Sequence, residues 1–468
     1  MFFDNFAIML PTKTHLAGEI MQRFQIEISK DESYTSHSGV ALVGQAVNRF
    51  TKLVPALAKA APLQSGGIPH ADVIRSYLGV LSLGKTDYQA VMQHQADTFF
   101  KKSLGLVRVP SEPTLRQRFD EHAGAFLSPV SWATVEFLKN AKVLFSPLKT
   151  GHVSLDIDVF TMDNSATRKE GVSRTYMGFD GYAPIAAYLA NEGWLIHWQL
   201  RPGSQHSQKE YIPFLQSTLA RVRQVYPGKL LVRKDSAHDA LDTRIELSRH
   251  EQVDYLIAWN PRKADKEAWS KRAFAEGTVT SPRPGKRVAL LSVYEPHTYQ
   301  DVNGKECEFT SRLVVKVTER ETDKKGQQLL LPEIELQGWW TSLDLPEADV
   351  IALYRDHGTS EQFHSELKTD MDLERLPSGK FATNELIFAC AALVYNILRF
   401  IGQLGLIGNR VPVRHPAKRR RIRTVIQELM YFAGRLIASG RRFKLRFSKH
   451  VEIHAEAFMR VYERLAYS

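Results

Sequence analysis

The sequence predicts a mixed α/β protein built around one sheet. Residues 152–260 alternate between strand-like and helical patterns, in the order strand, strand, strand, helix, strand, helix, strand. Short turns separate the first three strands, which indicates an antiparallel meander at the start of the sheet. At 468 residues the chain exceeds one ordinary domain, so we expect about two to four domains.

Residues 1–145 are expected to form a helical N-terminal domain. Apolar residues recur at helical spacing over residues 73–95. Ser111 stands in a pattern typical of a capped helix start, and the short helix predicted after it carries Arg116 and Arg118. Such a helix is either an ordinary surface helix or the recognition helix of a helix-turn-helix.

Residues 146–261 are predicted to form the first part of the core. Strands are predicted at His152–Phe160, Ala183–Leu189, Trp194–Leu200, Lys229–Val232 and Asp254–Trp259, and helices at Gln208–Tyr226 and His238–His250.

Residues 262–343 interrupt this pattern and are predicted to be a β-rich insertion. Charged turns separate strand-like runs at Ala289–Tyr294, Arg312–Thr318 and Gln327–Leu331.

The rest of the chain is expected to be helical. Residues 344–405 form the second part of the core, and residues 406–468 form a basic helical C-terminal region. Helices are predicted from Pro346 to Met371, at about Asn384–Leu404 and at about Ala417–Ala438.

Composition favours a polyanionic partner and a reducing compartment. The formal net charge is +11 and the sequence pI is about 9.4. Cys307 and Cys390 show no metal-ligand spacing. The N-terminus lacks the features of a signal peptide, and the apolar run Leu386–Phe400 is too short and polar to span a bilayer. We therefore expect a cytoplasmic protein without a membrane partner.

Carboxylates stand at two informative places in the core. Alternation puts Asp156 and Asp158 on the same face of the first strand, where two acids need a cation or solvent. Asp235 follows the fourth strand, and sites collect at strand ends in α/β sheets, although such a residue is also a common helix cap.

A third signal lies on the helix predicted after the insertion. Tyr354, Glu361 and Lys368 recur every seven residues and share one helix face, which His357 joins. Alone, this is also the pattern of a solvated charged face. Mg²⁺ prefers oxygen ligands, however, so carboxylates from three separate elements suit a metal site.

With these residues the chain resembles the D-D-E transposases of bacterial insertion sequences, of the cut-and-paste type with a β-rich insertion domain. The resemblance implies a ribonuclease-H-like core in which Asp158, Asp235 and Glu361 are the catalytic metal ligands, with Asp156 as the alternative first aspartate. The family pattern of Tyr, Arg, Glu and Lys matches Tyr354, Glu361 and Lys368 at the right spacing. Here His357 replaces the arginine, which changes the contact expected with phosphate.

The resemblance also implies the cofactor and the partners. It implies two Mg²⁺ ions, with Mn²⁺ as a substitute, and double-stranded DNA of the element ends and the target, bridged by a homodimer in a bacterial cell. Contacts with DNA are expected from Tyr354, His357 and Lys368, from the N-terminal helix, and from the basic cluster. That cluster comprises Lys418, Arg419, Arg420, Arg421 and Arg423. A nuclease without strand transfer and a non-catalytic DNA-binding protein derived from a transposase are the alternatives.

Overall fold

A computed structural model describes residues 24–62, 67–301, 303–323, 325, 327–408, 419–440 and 442–467. For His357 and Thr359 it describes the backbone only. Lys418 lies outside the described residues.

The described residues of the N-terminal region form helices and one short strand. Its elements are β1 (Ser33–Thr35), α1 (Val40–Phe50), α2 (Leu53–Ala60), α3 (His70–Ser82), α4 (Thr98–Leu104) and α5 (Glu112–Asn140). Ser111 caps α5 as predicted, since its hydroxyl oxygen accepts a hydrogen bond from the Thr114 backbone N–H at 3.4 Å. The expected short helix is wrong, because α5 runs for 29 residues and buries Leu115 and Phe119 on its apolar face.

The core alternates strands and helices in the predicted order. Its larger elements are β2 (Val153–Val159), β6 (Ile185–Leu189), β7 (Trp194–Gln199), α6 (Tyr211–Val225), β8 (Leu230–Lys234), α7 (Leu241–Ser248) and β9 (Val253–Ala258). Between β2 and β6, a small separate sheet comprises β3 (Met162–Asp163), β4 (Ser173–Arg174) and β5 (Asp180–Tyr182).

The region predicted to be an insertion extends the core sheet. It contains α8 (Lys266–Glu276), β10 (Thr278–Arg283), β11 (Lys286–Gln300), β12 (Glu306–Thr322) and β13 (Gln328–Thr341). Because β13 pairs antiparallel with β9, the described residues form one nine-stranded sheet in the order β10-β11-β12-β13-β9-β8-β2-β6-β7. The long strands of this region therefore project from the edge strand of the core.

Parallel pairing sets the position of the acidic residues. The strand β8 lies between β2 and β9 and is parallel to both. The carboxyl ends of parallel strands meet at one edge of a sheet, so Asp158 near the end of β2 and Asp235 after β8 share an edge.

The segment predicted as a helix from Pro346 to Met371 is broken into short pieces. α9 (Glu347–Arg355) is followed by a 3₁₀ turn at Asp356–Thr359, α10 (Ser360–Ser365) and a π-helical turn at Glu366–Asp370. The prediction of one continuous helix is wrong. Each change of helix type rotates the residues after it, so seven-residue spacing no longer defines a single face here.

The apolar helix α11 (Phe381–Leu406) lies at the centre of the protein. It packs against α3, α5 and β7, and its buried face is apolar over nearly its whole length. Among the described residues, only this helix is long and apolar enough to cross a membrane, and 94% of its most apolar window is buried inside the protein.

The C-terminal region is only partly helical. It contains α12 (Ile422–Val425), a π-helical turn at Ile426–Met430, β14 (Gly434–Ser439), β15 (Arg442–Arg446) and α13 (Glu452–Tyr467). The helix predicted to reach Ala438 is wrong, because β14 pairs with β1 from the N-terminal region. Long-range pairing overrides the local helical pattern there.

Candidate active site

Three predicted acidic residues from three separate elements line one cavity. Asp158 of β2, Asp235 after β8 and Glu361 of α10 line a cavity of about 570 Å³, together with Tyr354 of α9. The fold thus brings together three carboxylates that are at least 77 positions apart in the sequence.

Asp156 has a different environment from Asp158. Its carboxylate accepts two hydrogen bonds from the Arg233 guanidinium, at 2.7 and 2.8 Å, and the two side chains are 1% and 0% exposed. Arg233 also donates to the backbone carbonyl of Leu353 in α9, at 2.9 Å. The buried pair therefore ties β2 and β8 to the helix that carries Tyr354.

Asp158 lies two residues farther along β2, beyond the residues that pair with β8. Its side chain is 19% exposed. One carboxylate oxygen accepts a hydrogen bond from the Val159 backbone N–H at 2.8 Å, and the other lies 4.0 Å from Nδ1 of His364.

Asp235 is held in place by the turn that follows it. Its Oδ1 accepts hydrogen bonds from the Ala237 backbone N–H at 3.2 Å and from Nδ1 of His238 at 2.9 Å. Burial lowers the pKa of His238 to about 4, so the ring is neutral at pH 7 and donates Nδ1–H. Partial burial would raise the pKa of Asp235, but His238, Lys234 and the Ala237 N–H outweigh it and lower that pKa. Asp235 is therefore ionised at neutral pH.

Lys234 lies beside this aspartate but on the buried side of the sheet. Its Nζ is 3.0 Å from the centre of the Tyr211 ring and has no hydrogen-bond partner among the described residues. Burial holds the pKa of Lys234 well below its ordinary value, although Asp235 and Asp158 act in the opposite direction.

Glu361 is exposed on a short helix whose opposite face is anchored in the core. Phe363 is fully buried and packs against the turn at Gly193. Gly193 has a φ of +74°, and a Cβ there would meet the Phe363 ring at 2.3 Å. The glycine therefore serves both the turn and the close approach of α10.

Arginines from the basic cluster hold the same segment. Arg419 donates to the side-chain oxygen of Gln362 at 2.8 Å, and its guanidinium lies over the Phe363 ring. Arg421 donates to Ser365 at 3.0 Å and to Asp370 at 2.8 Å. Two side chains predicted to contact DNA thus bind the Glu361 segment.

A buried ion pair anchors the end of this segment. Glu366 and Arg399 of α11 form an ion pair in which both side chains are fully buried. Arg399 also donates to the backbone carbonyl of Arg420 at 2.8 Å. Core helix, acidic segment and basic cluster are therefore linked by one polar network.

Tyr354 lies in the cavity as a neutral phenol. Burial raises its pKa above the ordinary value, and the negative charges of Asp235 and Asp158 add to this effect. Its hydroxyl is consequently protonated at neutral pH and able to donate a hydrogen bond.

The remaining predicted contact residues lie elsewhere. Lys368 donates to the Thr161 carbonyl at 2.9 Å and pairs with Glu374 at 3.2 Å. Arg116 pairs with Glu112 within α5, and Arg118 lies 4.0 Å from Glu121.

The other two described members of the basic cluster also make contacts within the protein. Arg420 donates to the Leu406 carbonyl at 2.9 Å, and Arg423 is exposed with its backbone N–H bound to Asp370.

The cavity is also lined by four cationic side chains that were not predicted from the sequence. Lys316 and Arg320 lie on β12, Lys286 lies on β11 and Arg355 ends α9. Lys316 and Arg320 are four residues apart on a strand, so they share a face. The alternation from 316 to 320 was the available signal, but the faces of these strands could be assigned only once the pairing with the core was known.

The donor set of the cavity fits a hard divalent cation. It offers carboxylate oxygens from three elements, and Mg²⁺ is bound by few carboxylates and by water. The ionised state of Asp235 is also the state that binds a metal.

Comparison with known proteins gives the family. Residues 19–468 match the family described as transposase DDE domain group 1, and no curated protein matches the chain. Among solved structures, the chain is similar to one titled as the cryo-EM structure of the piggyBac transposase synaptic complex with hairpin DNA. Sequence identity is 9% and the TM-score is 0.38, over 93% of this chain and 83% of that one. Since the family match covers nearly the whole sequence, the chain belongs to the group 1 family of transposase DDE domains.

Proposed function

We propose that this transposase binds the ends of a bacterial insertion sequence, cleaves the DNA there with divalent metal ions, and joins the freed 3′ ends to a target. The observation that carries the proposal is the single cavity lined by Asp158, Asp235 and Glu361 and bordered by cationic side chains. Membership of a transposase DDE family supports it.

In the proposed reaction the three carboxylates hold the metal ions. Asp158, rather than Asp156, is the first of them, because Asp156 is buried in its pair with Arg233. When bound, two Mg²⁺ ions, or Mn²⁺ in their place, would supply an activated water or hydroxyl nucleophile and stabilise the leaving oxygen.

The border of the cavity would position the DNA backbone. Lys286, Lys316 and Arg355 provide positive charge where phosphates would lie, and Tyr354 provides a hydroxyl donor. Such contacts bind DNA of any sequence and weaken with salt. Replacing Lys316 by Gln should lower the slope of log affinity against log salt by about 1. Glu456→Gln, an exposed change on α13, should leave the slope unaltered.

The test uses purified protein, linear DNA carrying the inverted repeats that flank the gene, and a target plasmid. We expect cleavage at the repeat ends and joined products in Mg²⁺, and neither in EDTA. Metal-dependent cleavage without joined products would instead identify a nuclease. Binding of the repeats without cleavage in either Mg²⁺ or Mn²⁺ would identify a non-catalytic DNA-binding protein.

The assembly and location belong to the same proposal. We expect a homodimer that bridges two element ends in the bacterial cytoplasm. Size-exclusion chromatography with light scattering, on protein mixed with end DNA, tests the dimer directly.

A further inference from the structure

A second group of potential metal ligands lies in the N-terminal region. His37 precedes α1, and His94 and Asp97 precede α4. One ligand atom from each lies within 4.8 Å of the others. Nε2 of His37 is 2.9 Å and Nδ1 of His94 is 3.8 Å from the same oxygen, Oδ2 of Asp97. Ligands of a tetrahedral Zn²⁺ ion are about 3.4 Å apart, given bonds of about 2.0–2.2 Å.

The ring of His94 is buried and fixed in orientation. This residue is 3% exposed, and its Nδ1 has no hydrogen-bond partner among the described residues. The ring is fixed by stacking on Phe100, with centroids 4.1 Å apart and planes 10° from parallel. A buried ring nitrogen without a partner lowers stability, and a bound cation would satisfy it.

The other polar atoms of the three side chains have contacts of their own. Oδ1 of Asp97 accepts the Phe100 backbone N–H at 3.0 Å and caps α4. Nδ1 of His37 lies 3.3 Å from the Ser36 hydroxyl oxygen. Nε2 of His94 lies 3.1 Å from the side-chain nitrogen of Gln93, and for Nδ1 to bind a metal the amide must turn so that its oxygen accepts Nε2–H. An acceptor at the outer ring nitrogen, as the Ser36 hydroxyl oxygen can be for His37, selects the tautomer that binds a metal through the other nitrogen.

We propose that His37, His94 and Asp97 bind a divalent transition-metal ion of the Zn²⁺ type, separately from the acidic cavity. Two imidazoles and one carboxylate suit Zn²⁺ better than Mg²⁺, which prefers oxygen ligands. The Asp97 side chain is 22% exposed, which gives water access to a fourth position.

The ion would have a structural role. His37 lies just after β1, which pairs with β14 of the C-terminal region. A metal ion bound here would therefore tie the residues between β1 and α1 to the start of α4. It would thus hold the N-terminal helices against the sheet that contains β14.

The competing explanation is a hydrogen-bonded cluster without metal, in which Nε2–H of His37 donates to Asp97. The test is titration of chelator-treated full-length protein with Zn²⁺ in excess Mg²⁺, followed by calorimetry and by thermal unfolding. We expect one equivalent to bind and to raise the melting temperature. We also expect Co²⁺ in place of Zn²⁺ to give the absorption of a tetrahedral site.

Variants separate this site from the acidic cavity. His94→Gln and Asp97→Asn should lower Zn²⁺ affinity by a factor of ten or more, and Asp97→Asn keeps the oxygen that caps α4. Asp235→Asn and the exposed His450→Asn should bind Zn²⁺ like the wild type. Equal affinity in all variants, or no stoichiometric binding by the wild type, would overturn the proposal. If the variants do not fold, X-ray absorption of the Zn²⁺-loaded wild type decides, since a spectrum without two imidazoles would exclude this site.

Discussion

Changing each of the two aspartates of β2 to asparagine should have different effects: one change should lower stability and the other should abolish DNA cleavage. Asp156→Asn leaves the Arg233 guanidinium buried without its carboxylate. The asparagine oxygen can accept one of the two Arg233 hydrogen bonds, but its NH₂ group then faces the second donor. Asp158→Asn keeps an oxygen for the Val159 N–H and lies at a partly exposed position.

The loss of stability follows from the burial of the pair. Removing one partner of a buried ion pair costs about 3–5 kcal/mol. The entropy of unfolding is about 2.1 cal/mol/K per residue, or about 1 kcal/mol/K for a chain of this length. We therefore expect Asp156→Asn to lower the melting temperature by about 3–5 °C if the chain unfolds cooperatively. Asp158→Asn should change it by less than about 1 °C, as expected for a site away from buried pairs.

Calorimetry and DNA cleavage on the same preparations test this difference. Asp156→Asn should retain cleavage below its melting temperature, whereas Asp158→Asn should lose cleavage while remaining folded. If instead Asp158→Asn cleaves DNA like the wild type and folded Asp156→Asn does not, Asp156 is the metal ligand and the assignment of Asp158 is wrong.

Three further changes test the packing of the core and of the segment that carries Glu361. Gly193→Ala should destabilise the protein by about 1–3 kcal/mol in urea unfolding and reduce cleavage, because the new Cβ meets Phe363; unaltered stability would contradict the packing. Arg421→Met should cost about 1–3 kcal/mol, because it leaves the buried Asp370 carboxylate short of a partner; a lower salt slope of DNA binding at unchanged stability would instead show a DNA contact. His197 has its pKa lowered to about 3 by burial, so the unfolded chain takes up the proton first as the pH falls below 6.5. Between pH 7 and pH 5 the wild type should lose about 2 kcal/mol more stability than His197→Gln, and equal losses would contradict the assignment.

Local sequence patterns were sufficient to predict the strands and helices of the core, and to place Asp158 on a strand and Asp235 at a strand end. Alternation placed β2 and β8 and set Asp235 at a strand end, and the core helices followed from their apolar spacing. These features depend on residues close together in the sequence, so the sequence could predict them.

The difference between Asp156 and Asp158 could not be predicted this way. Both lie on one face of β2, but Asp156 is opposite Arg233 in the register with β8. Asp158 lies beyond the residues of β2 that pair with β8. The register between strands 77 residues apart decides which acid is buried.

Long-range contacts also explain the remaining errors. The seven-residue spacing of Tyr354, Glu361 and Lys368 assumed one continuous helix, whereas buried anchors such as Phe363 and Glu366 accompany changes of helix type. The arginines of the basic cluster looked like a DNA-binding surface because their internal partners, such as Asp370, are distant in the sequence.

The most direct test of the central claim is the rate of cleavage of element-end DNA in Mg²⁺ by the wild type and by three single variants. Asp158→Asn, Asp235→Asn and Glu361→Gln should each remain folded and lose at least about 100-fold in rate, as expected when a group that stabilises the transition state is removed. Glu456→Gln should cleave at the wild-type rate. Undiminished cleavage by any one of the three folded variants would contradict the assignment of that carboxylate to the active site.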